Sequence, residues 1–89
     1  MSDREAVRLG PIRPEHVGDG WRLDGDERGG WSLCKRVGDG VVAKIRATTS
    51  TTCAWSVYAA DGRMLREASW DDVDEAKALA DKWIREHRP

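Results

Sequence analysis

Residues 31–68 read WSLCKRVGDGVVAKIRATTSTTCAWSVYAADGRMLREA, and this stretch decides the fold. Apolar and polar side chains alternate in four runs, and a period of two is the pattern of strands with one buried face. The runs are separated by Gly38-Asp39-Gly40, by a Thr/Ser segment at 49–51 and by Asp61-Gly62. Because Asp-Gly between alternating runs is a strong hairpin signal, the pattern predicts consecutive antiparallel strands.

The lengths of the predicted loops set the register between neighbouring strands. Paired residues must share a face, because a slip of one residue would turn every side chain over. The resulting register makes one face of the sheet almost wholly apolar. The predicted pairs on this face are Lys35–Ala43, Leu33–Ile45, Trp31–Ala47, Ala47–Cys53, Ile45–Trp55, Ala43–Val57, Val57–Arg66, Trp55–Ala68 and Ala59–Met64.

A further short strand is predicted before this stretch. Trp21 and Leu23 alternate in the same way, so we expect Leu23 to pair with Trp31 and DGDERGG (24–30) to form the hairpin loop. The loop also follows the start of a calcium-binding pattern, but the cation Arg28 stands where that pattern needs an oxygen ligand. The stretch therefore predicts a turn and no metal site.

The final segment, SWDDVDEAKALADKWIREHRP (69–89), predicts a helix. Ser69 and Asp72 form a capping pair, acidic residues crowd the first turn, and basic residues lie in the last turns, as the helix dipole favours. We expect the apolar stripe of this helix to pack on the apolar sheet face, with Trp83 at the centre of the core. The stripe comprises Ala76, Leu79, Ala80, Trp83 and Ile84.

Together these elements predict an α+β fold, an antiparallel meander of four or five strands packed on one face by a single C-terminal helix. Residues 1–20 contain glycine and proline without a sustained period, so we expect an irregular N-terminal arm. Residues 21–89 then form one domain, since a chain of 89 residues leaves no room for a second.

Composition and motifs exclude several functional classes. No apolar run approaches the roughly 18 residues of a membrane span, and the first residues lack a signal-peptide pattern, so we expect a cytoplasmic location and no membrane partner. Cys34 and Cys53 lie outside any CxxC pair, which favours free thiols. No nucleophile, phosphate-loop or paired-carboxylate motif is present. We therefore predict no enzymatic activity, no metal and no cofactor.

The helix-free face of the sheet is where we expect a function. By the inferred register, Arg36, Val42, Tyr58 and Leu65 line up across four strands as a mostly apolar row. One interpretation is that Val7, Leu9 or Ile12 of the N-terminal arm covers the row, or that the row consists of scattered apolar side chains at the surface. Another is that the row contacts a partner protein, because arginine and tyrosine around an aliphatic patch are typical anchors. Trp70 either closes the end of the core or serves as a further anchor of this contact. Self-association through the same row is a third hypothesis.

Basic residues are concentrated in the middle of the chain. The net charge is -1, yet residues 31–70 hold six basic and three acidic side chains. Arg36, Lys44 and Arg46 form a basic strip on the helix-free face, which makes nucleic acid the alternative partner.

Two family resemblances bear on nucleic acid. DEAKALADKWI (74–84) is similar to the last helix of double-stranded RNA-binding domains, but that family begins the helix with lysines, whereas the acidic residues here would repel phosphate. WSVYAADGRMLREASWDDVDEAKALADKWI (55–84) resembles the strand, turn, strand and helix unit of the arm-binding N-terminal domains of phage integrases. Those domains read DNA through a three-stranded sheet, so this resemblance implies the DNA-binding alternative.

The chain as a whole resembles small accessory proteins of actinobacterial phages. The resemblance lies in the excess of arginine over lysine, tryptophan without phenylalanine, repeated Asp-Gly turns and the DDVDEAKALADKW ending (71–83). It implies a non-enzymatic early protein that binds a host protein, typically of the replication or transcription machinery, and that is sometimes toxic to the host. We therefore expect a module that binds a host protein, with DNA binding as the alternative.

Overall fold

The computed structural model describes residues 10–26 and 30–87, which form an α+β fold. Five strands make one antiparallel sheet in sequence order, and a single α-helix packs on one of its faces. This confirms the predicted meander with one C-terminal helix. The elements are β1 (Arg22–Asp26), β2 (Gly30–Arg36), β3 (Val42–Ala47), β4 (Cys53–Tyr58), β5 (Met64–Trp70) and α1 (Val73–His87).

The register of the central strands agrees with the predicted loop lengths. Leu33 pairs with Ile45, and Ile45 pairs with Trp55, so these side chains share the face that α1 covers. The turn between β2 and β3 is a short 3-10 segment, Gly38–Gly40. Asp39 within it has a φ of 67°, a backbone conformation that aspartate tolerates better than most residues.

The first hairpin is longer than predicted. β1 continues to Asp26 and β2 begins at Gly30, so part of the 24–30 stretch is strand and the expected pair of Leu23 with Trp31 is wrong. Gly25 permits this extension, because a Cβ there would lie 2.1 Å from the Gly30 carbonyl oxygen. Residues 27–29, including Arg28 of the calcium comparison, lie outside the described residues. The observed pairs are Leu23–Leu33 and Gly25–Trp31.

The turn between β4 and β5 holds three residues instead of two. The Ala59 N–H donates to the Arg63 carbonyl over 2.8 Å, which leaves residues 60–62 in the turn. Met64 therefore lies opposite Tyr58, and the expected pair of Met64 with Ala59 is wrong.

A β-bulge restores the predicted register further along β5. Leu65 is the extra residue between Met64 and Arg66, so it has no residue directly opposite. The prediction that Leu65 extends the row from Tyr58 is therefore wrong. Beyond the bulge the observed pairs are those predicted, Val57–Arg66 and Trp55–Ala68.

The helix begins later than predicted. β5 runs through Ser69, which pairs with Ala54, so Ser69 does not cap α1. Asp72 is the capping residue, because its Oδ1 accepts a hydrogen bond from the Asp74 backbone N–H over 2.9 Å. The predicted capping pair is thus wrong, because Asp72 is itself the cap and not the partner of a cap at Ser69.

The core lies between α1 and the sheet. Trp83 is only half-buried and stacks on His87 with ring centroids 4.4 Å apart, so it is not the centre of the core. Smaller side chains of α1 fill that position, which lets the helix approach the sheet closely. The buried residues of α1 are Val73, Ala76, Ala80 and Ile84.

The N-terminal arm reaches the side of the sheet that α1 covers. Ile12 is buried in the core, and a Cβ on Gly10 would lie within 2.6 Å of the Ala47 Cβ. Ile12 therefore does not cover the helix-free row, and that interpretation of the arm is wrong for this residue. Val7 and Leu9 lie outside the described residues.

Trp21 anchors the arm beside α1. Its side chain is almost fully buried, and the ammonium groups of Lys35 and Lys77 lie 5.8 and 5.9 Å from its ring centroids. Both cations are placed to interact with the ring face. Lys77 also donates a hydrogen bond to the His16 carbonyl, which ties the arm directly to the helix.

Candidate functional site

Three of the four residues of the predicted row lie together. Arg36 pairs with Val42, and Val42 pairs with Tyr58, so the three side chains lie on the helix-free face of β2, β3 and β4. Lys44 and Arg46 follow Val42 at intervals of two along β3 and therefore share its face. The row and the basic strip occupy one surface.

This surface is concave across four strands. A depression of about 540 Å³ is lined by Arg36, Gly40, Val42, Lys44, Tyr58, Ala59, Ala60 and Gly62. A second depression of about 650 Å³ is lined by Gly20, Arg22, Asp24, Cys34, Arg36, Val42 and Lys44. Because the two share three residues, we treat them as one surface, the basic trough, defined by Arg22, Arg36, Val42, Lys44 and Tyr58.

The cations of the basic trough have no ion-pair partner within the described part of the chain, although the carboxylate of Asp24 also lies on the trough lining. Arg22, Arg36 and Lys44 form no ion pair with any described residue. Lys44 instead lies over the Tyr58 ring, with its Nζ 5.5 Å from the centroid. The Lys44 ammonium and the Tyr58 ring therefore lie side by side on the trough lining, where they offer a ligand a charged group next to an apolar ring.

Arg46 differs from the other basic residues of the strip. Its Nη2 lies 3.2 Å from the Glu67 Oε2, and the Ser56 hydroxyl donates to the same oxygen over 3.4 Å. The small residues Ala54 and Ser56 are almost fully buried on this face, although α1 packs on the opposite one. Because Glu67 neutralises Arg46, the positive charge of the surface lies mainly in the basic trough.

Arg22 is a trough residue that the sequence interpretation missed. The alternation of residues 21–23 already indicates that Arg22 faces away from the core. Only the observed length of β1, with Arg22 opposite Cys34, brings the residue to the end of the trough.

Trp70 and Leu65 lie outside the basic trough. Trp70 pairs with the buried Cys53, so it belongs to the helix side of the sheet and its predicted place beside the row is wrong. Its indole Nε1 donates to the Glu75 carboxylate over 2.6 Å, while 41% of the residue remains exposed. Leu65 is exposed in the bulge of β5.

The two thiols are free and lie on opposite faces of the sheet. Burial raises the pKa of Cys53 to about 11, and the nearby carboxylates of Asp72 and Asp71 add to the effect. Cys53 is therefore a neutral thiol near pH 7 and a poor nucleophile. Cys34 is the more accessible of the two, on the lining of the trough.

Within residues 10–26 and 30–87, no three side chains of the metal-binding types come together as a metal site. The helix of this part of the chain is not long and apolar enough to cross a membrane. No protein-family model, no curated protein and no solved structure matches the chain. The geometry of the basic trough is therefore the basis for a proposed function.

Proposed function

We propose that this chain is a non-enzymatic module that binds a host protein through the basic trough. The observation that carries the proposal is that Arg36 and Lys44, which have no ion pair among the described residues, share one concave surface with Val42 and Tyr58. Arginine and tyrosine dominate binding energy at many interfaces when they surround an aliphatic contact. A single surface of this chain thus supplies charge, an aromatic ring and an apolar floor.

The charge of the trough defines the chemistry of the partner. A surface complementary to Arg22, Arg36 and Lys44 is acidic, and like-charged surfaces are rejected at a cost of several kcal/mol. The exposed parts of Val42 and Tyr58 favour an apolar side chain beside those acidic groups. We expect the bound element to be an acidic protein segment that carries at least one aliphatic or aromatic residue.

The resemblance to accessory proteins of actinobacterial phages indicates where to search for that partner. Proteins of this kind act on replication or transcription machinery, and occupying an essential host protein slows growth. We expect expression of this chain in an actinobacterium to inhibit growth, and we expect the inhibition to depend on the basic trough.

Capture from an actinobacterial lysate, quantified by mass spectrometry, tests the proposal. The wild-type chain is compared with Tyr58→Ala and with the double variant Arg36→Glu, Lys44→Glu. The matched control is Lys82→Glu, Arg85→Glu, which changes the charge equally at exposed positions of α1.

We expect the same host protein to bind the wild type and the control, to be released by salt, and to be lost from both trough variants. Circular dichroism must show all four proteins folded. Equal capture by the folded trough variants would exclude the basic trough as the binding site.

DNA binding is the second candidate function, and the observation in its favour is the same set of cations. Arg22, Arg36 and Lys44 lie on one sheet face, and the chain resembles integrase domains that read DNA through a sheet. Against it stand the neutralised Arg46 and the net charge of -1.

Salt titration separates the two functions. If three trough cations contact phosphates, the logarithm of DNA affinity should fall with the logarithm of salt concentration with a slope of about -3. Lys44→Glu should abolish binding, whereas Arg46→Ala should change it little. Absence of any mobility shift at low salt removes the DNA alternative.

A further inference from the structure

Among residues 10–26 and 30–87, the strand β5 (Met64–Trp70) pairs only with β4, so its outer edge has no described neighbour. It is the last strand of the sheet, and most of its side chains are exposed, including Met64 at 49% and Trp70 at 41%. Natural edge strands are usually protected against pairing by proline, bulges, charged side chains or a covering segment. β5 has no proline, its bulge at Leu65 lies near one end, and its two charges, Arg66 and Glu67, have opposite sign.

We propose that β5 pairs antiparallel with β5 of a second copy of this chain, about a two-fold axis through Ala68. The two five-stranded sheets would then form one continuous sheet of ten strands. The proposal concerns the edge of the sheet and does not depend on what the basic trough binds.

The symmetry selects Ala68 as the centre. Residues that face each other across an antiparallel pair share a face, so the axis must pass through a residue of β5. An axis at Arg66 or Glu67 would place that charge opposite its own copy, which is destabilising. An axis at Ser69 would place Glu67 opposite Asp71, again with like charges. An axis at Ala68 brings only two methyl groups together.

The same axis produces favourable contacts on the helix side of the sheet. Arg66 then lies opposite Trp70 of the second copy, whose indole already donates to Glu75. The Arg66 guanidinium has no ion pair among the described residues and meets both an aromatic ring and a carboxylate there. Two-fold symmetry repeats the contact, so each dimer contains it twice.

The other side of the sheet and the helices also accommodate the pairing. On the helix-free side, Glu67 lies opposite the small, polar Ser69 of the second copy. α1 packs mainly over β3 and β4. From β4 to β4 of the second copy there are three strand spacings, about 14 Å, and packed helices need only 8–10 Å between axes. The helices therefore do not collide.

Self-association through the predicted row is less favourable than through β5. A two-fold contact there would bring Arg36 and Lys44 of one copy against the same cations of the other. Pairing through β5 leaves both basic troughs free, and the two-fold axis, perpendicular to the sheet, places them on the same side of the dimer. A partner with two acidic segments could then be bound at two points.

Charge reversal distinguishes this dimer from other modes of association. Arg66→Glu and Glu75→Arg should each be monomeric, because each homodimer contains two like-charge contacts, and self-association should weaken about tenfold or more. A one-to-one mixture of the two variants should form a heterodimer, since every contact then joins opposite charges. Sedimentation equilibrium over a range of concentrations measures each case.

A crosslink tests the position of the axis. In a Cys34→Ser background, Ala68→Cys should form an intermolecular disulfide under mild oxidation, because the two residues face each other. Ser69→Cys, one position along the strand, should not. A wild-type chain that stays monomeric at all concentrations overturns the proposal, as does a dimer that ignores both charge reversals or crosslinks equally through both cysteines.

Discussion

The two faces of the sheet are both buried at the centre, but by different means. On the helix side, Leu33, Ile45 and Val57 are fully buried in the core. On the other side, Ala54 and Ser56 are almost as inaccessible, because the long side chains of the paired Arg46 and Glu67 extend over these small residues. Apolar packing makes the helix side the face that determines stability, whereas the solvated ion pair of Arg46 and Glu67 adds little to stability on the other face.

The sharpest test of this difference is truncation at adjacent positions of β3. Ile45→Ala should lower the free energy of unfolding by about 2–5 kcal/mol, because it leaves a cavity under α1. Arg46→Ala, on the opposite face, should cost about 0–1 kcal/mol. Urea unfolding with equal m values measures both changes. A comparable loss of unfolding free energy for the two variants would contradict the conclusion that stability depends mainly on the helix side.

Glycine substitution tests how closely the arm binds the helix side. Gly10 has a φ of +54°, and a Cβ there would lie 2.5 Å from the Thr49 carbonyl oxygen. Gly62 has a φ of +90° with open space around it. Both alanine variants incur backbone strain of about 1–2 kcal/mol, but Gly10→Ala should lose a further 1–3 kcal/mol or so from overpacking. Thermal unfolding of the pair isolates the contact, and equal losses would mean that the arm is not packed there.

The pH dependence of stability should reveal the buried thiol of the helix side. The unfolded chain loses the Cys53 proton near pH 9, whereas burial in the folded chain raises the pKa to about 11. The contribution of the Cys53 thiol to the free energy of unfolding is therefore fully present below pH 9 and decreases as the pH rises toward 11. Cys53→Ala should remove that part of the slope in urea unfolding, and Cys34→Ala should retain it. A slope unchanged by Cys53→Ala would contradict the shift.

The smallest expected difference concerns two ion pairs of equal length on opposite faces. Lys35 and Asp81, on the helix side, are 3.2 Å apart with side chains 26% and 29% exposed. Arg46 and Glu67 are also 3.2 Å apart but more exposed, at 52% and 34%. Double-mutant cycles should give a coupling near 1 kcal/mol for the first pair and about 0.5 kcal/mol or less for the second. Raised salt should weaken the second pair more, and the reverse order would contradict the argument from exposure.

Only part of the predicted row could be placed from the sequence, and the part that failed lies in β5. Arg36, Val42 and Tyr58 were placed together correctly because their register depends on turns of the expected length. Leu65 was misplaced because the turn before β5 is one residue longer than predicted. The bulge at Leu65 then shifts the register back by one residue, so the pairs beyond it are those that the sequence predicted. A local irregularity of this kind has no signature in the period of apolar residues.

Ser69 and Trp70 show the same limit at the junction of β5 and α1. Serine and aspartate are both favoured at helix N-caps, so the sequence alone does not show whether Ser69 or Asp72 caps the helix. The pairing of Trp70 with Cys53 extends the strand and makes Asp72 the cap. A contact between distant residues thus decided a local boundary.

Sequence alone determined the fold class, the two faces of the central strands and their register, because a side-chain period of two and short turns are local properties of the chain. Tertiary structure decided which cations remain available. Arg46 is neutralised by Glu67, 21 residues away, and Lys35 is paired with Asp81, 46 residues away. Such pairs depend on distances in space between residues far apart in the chain, and no pattern within either segment encodes them.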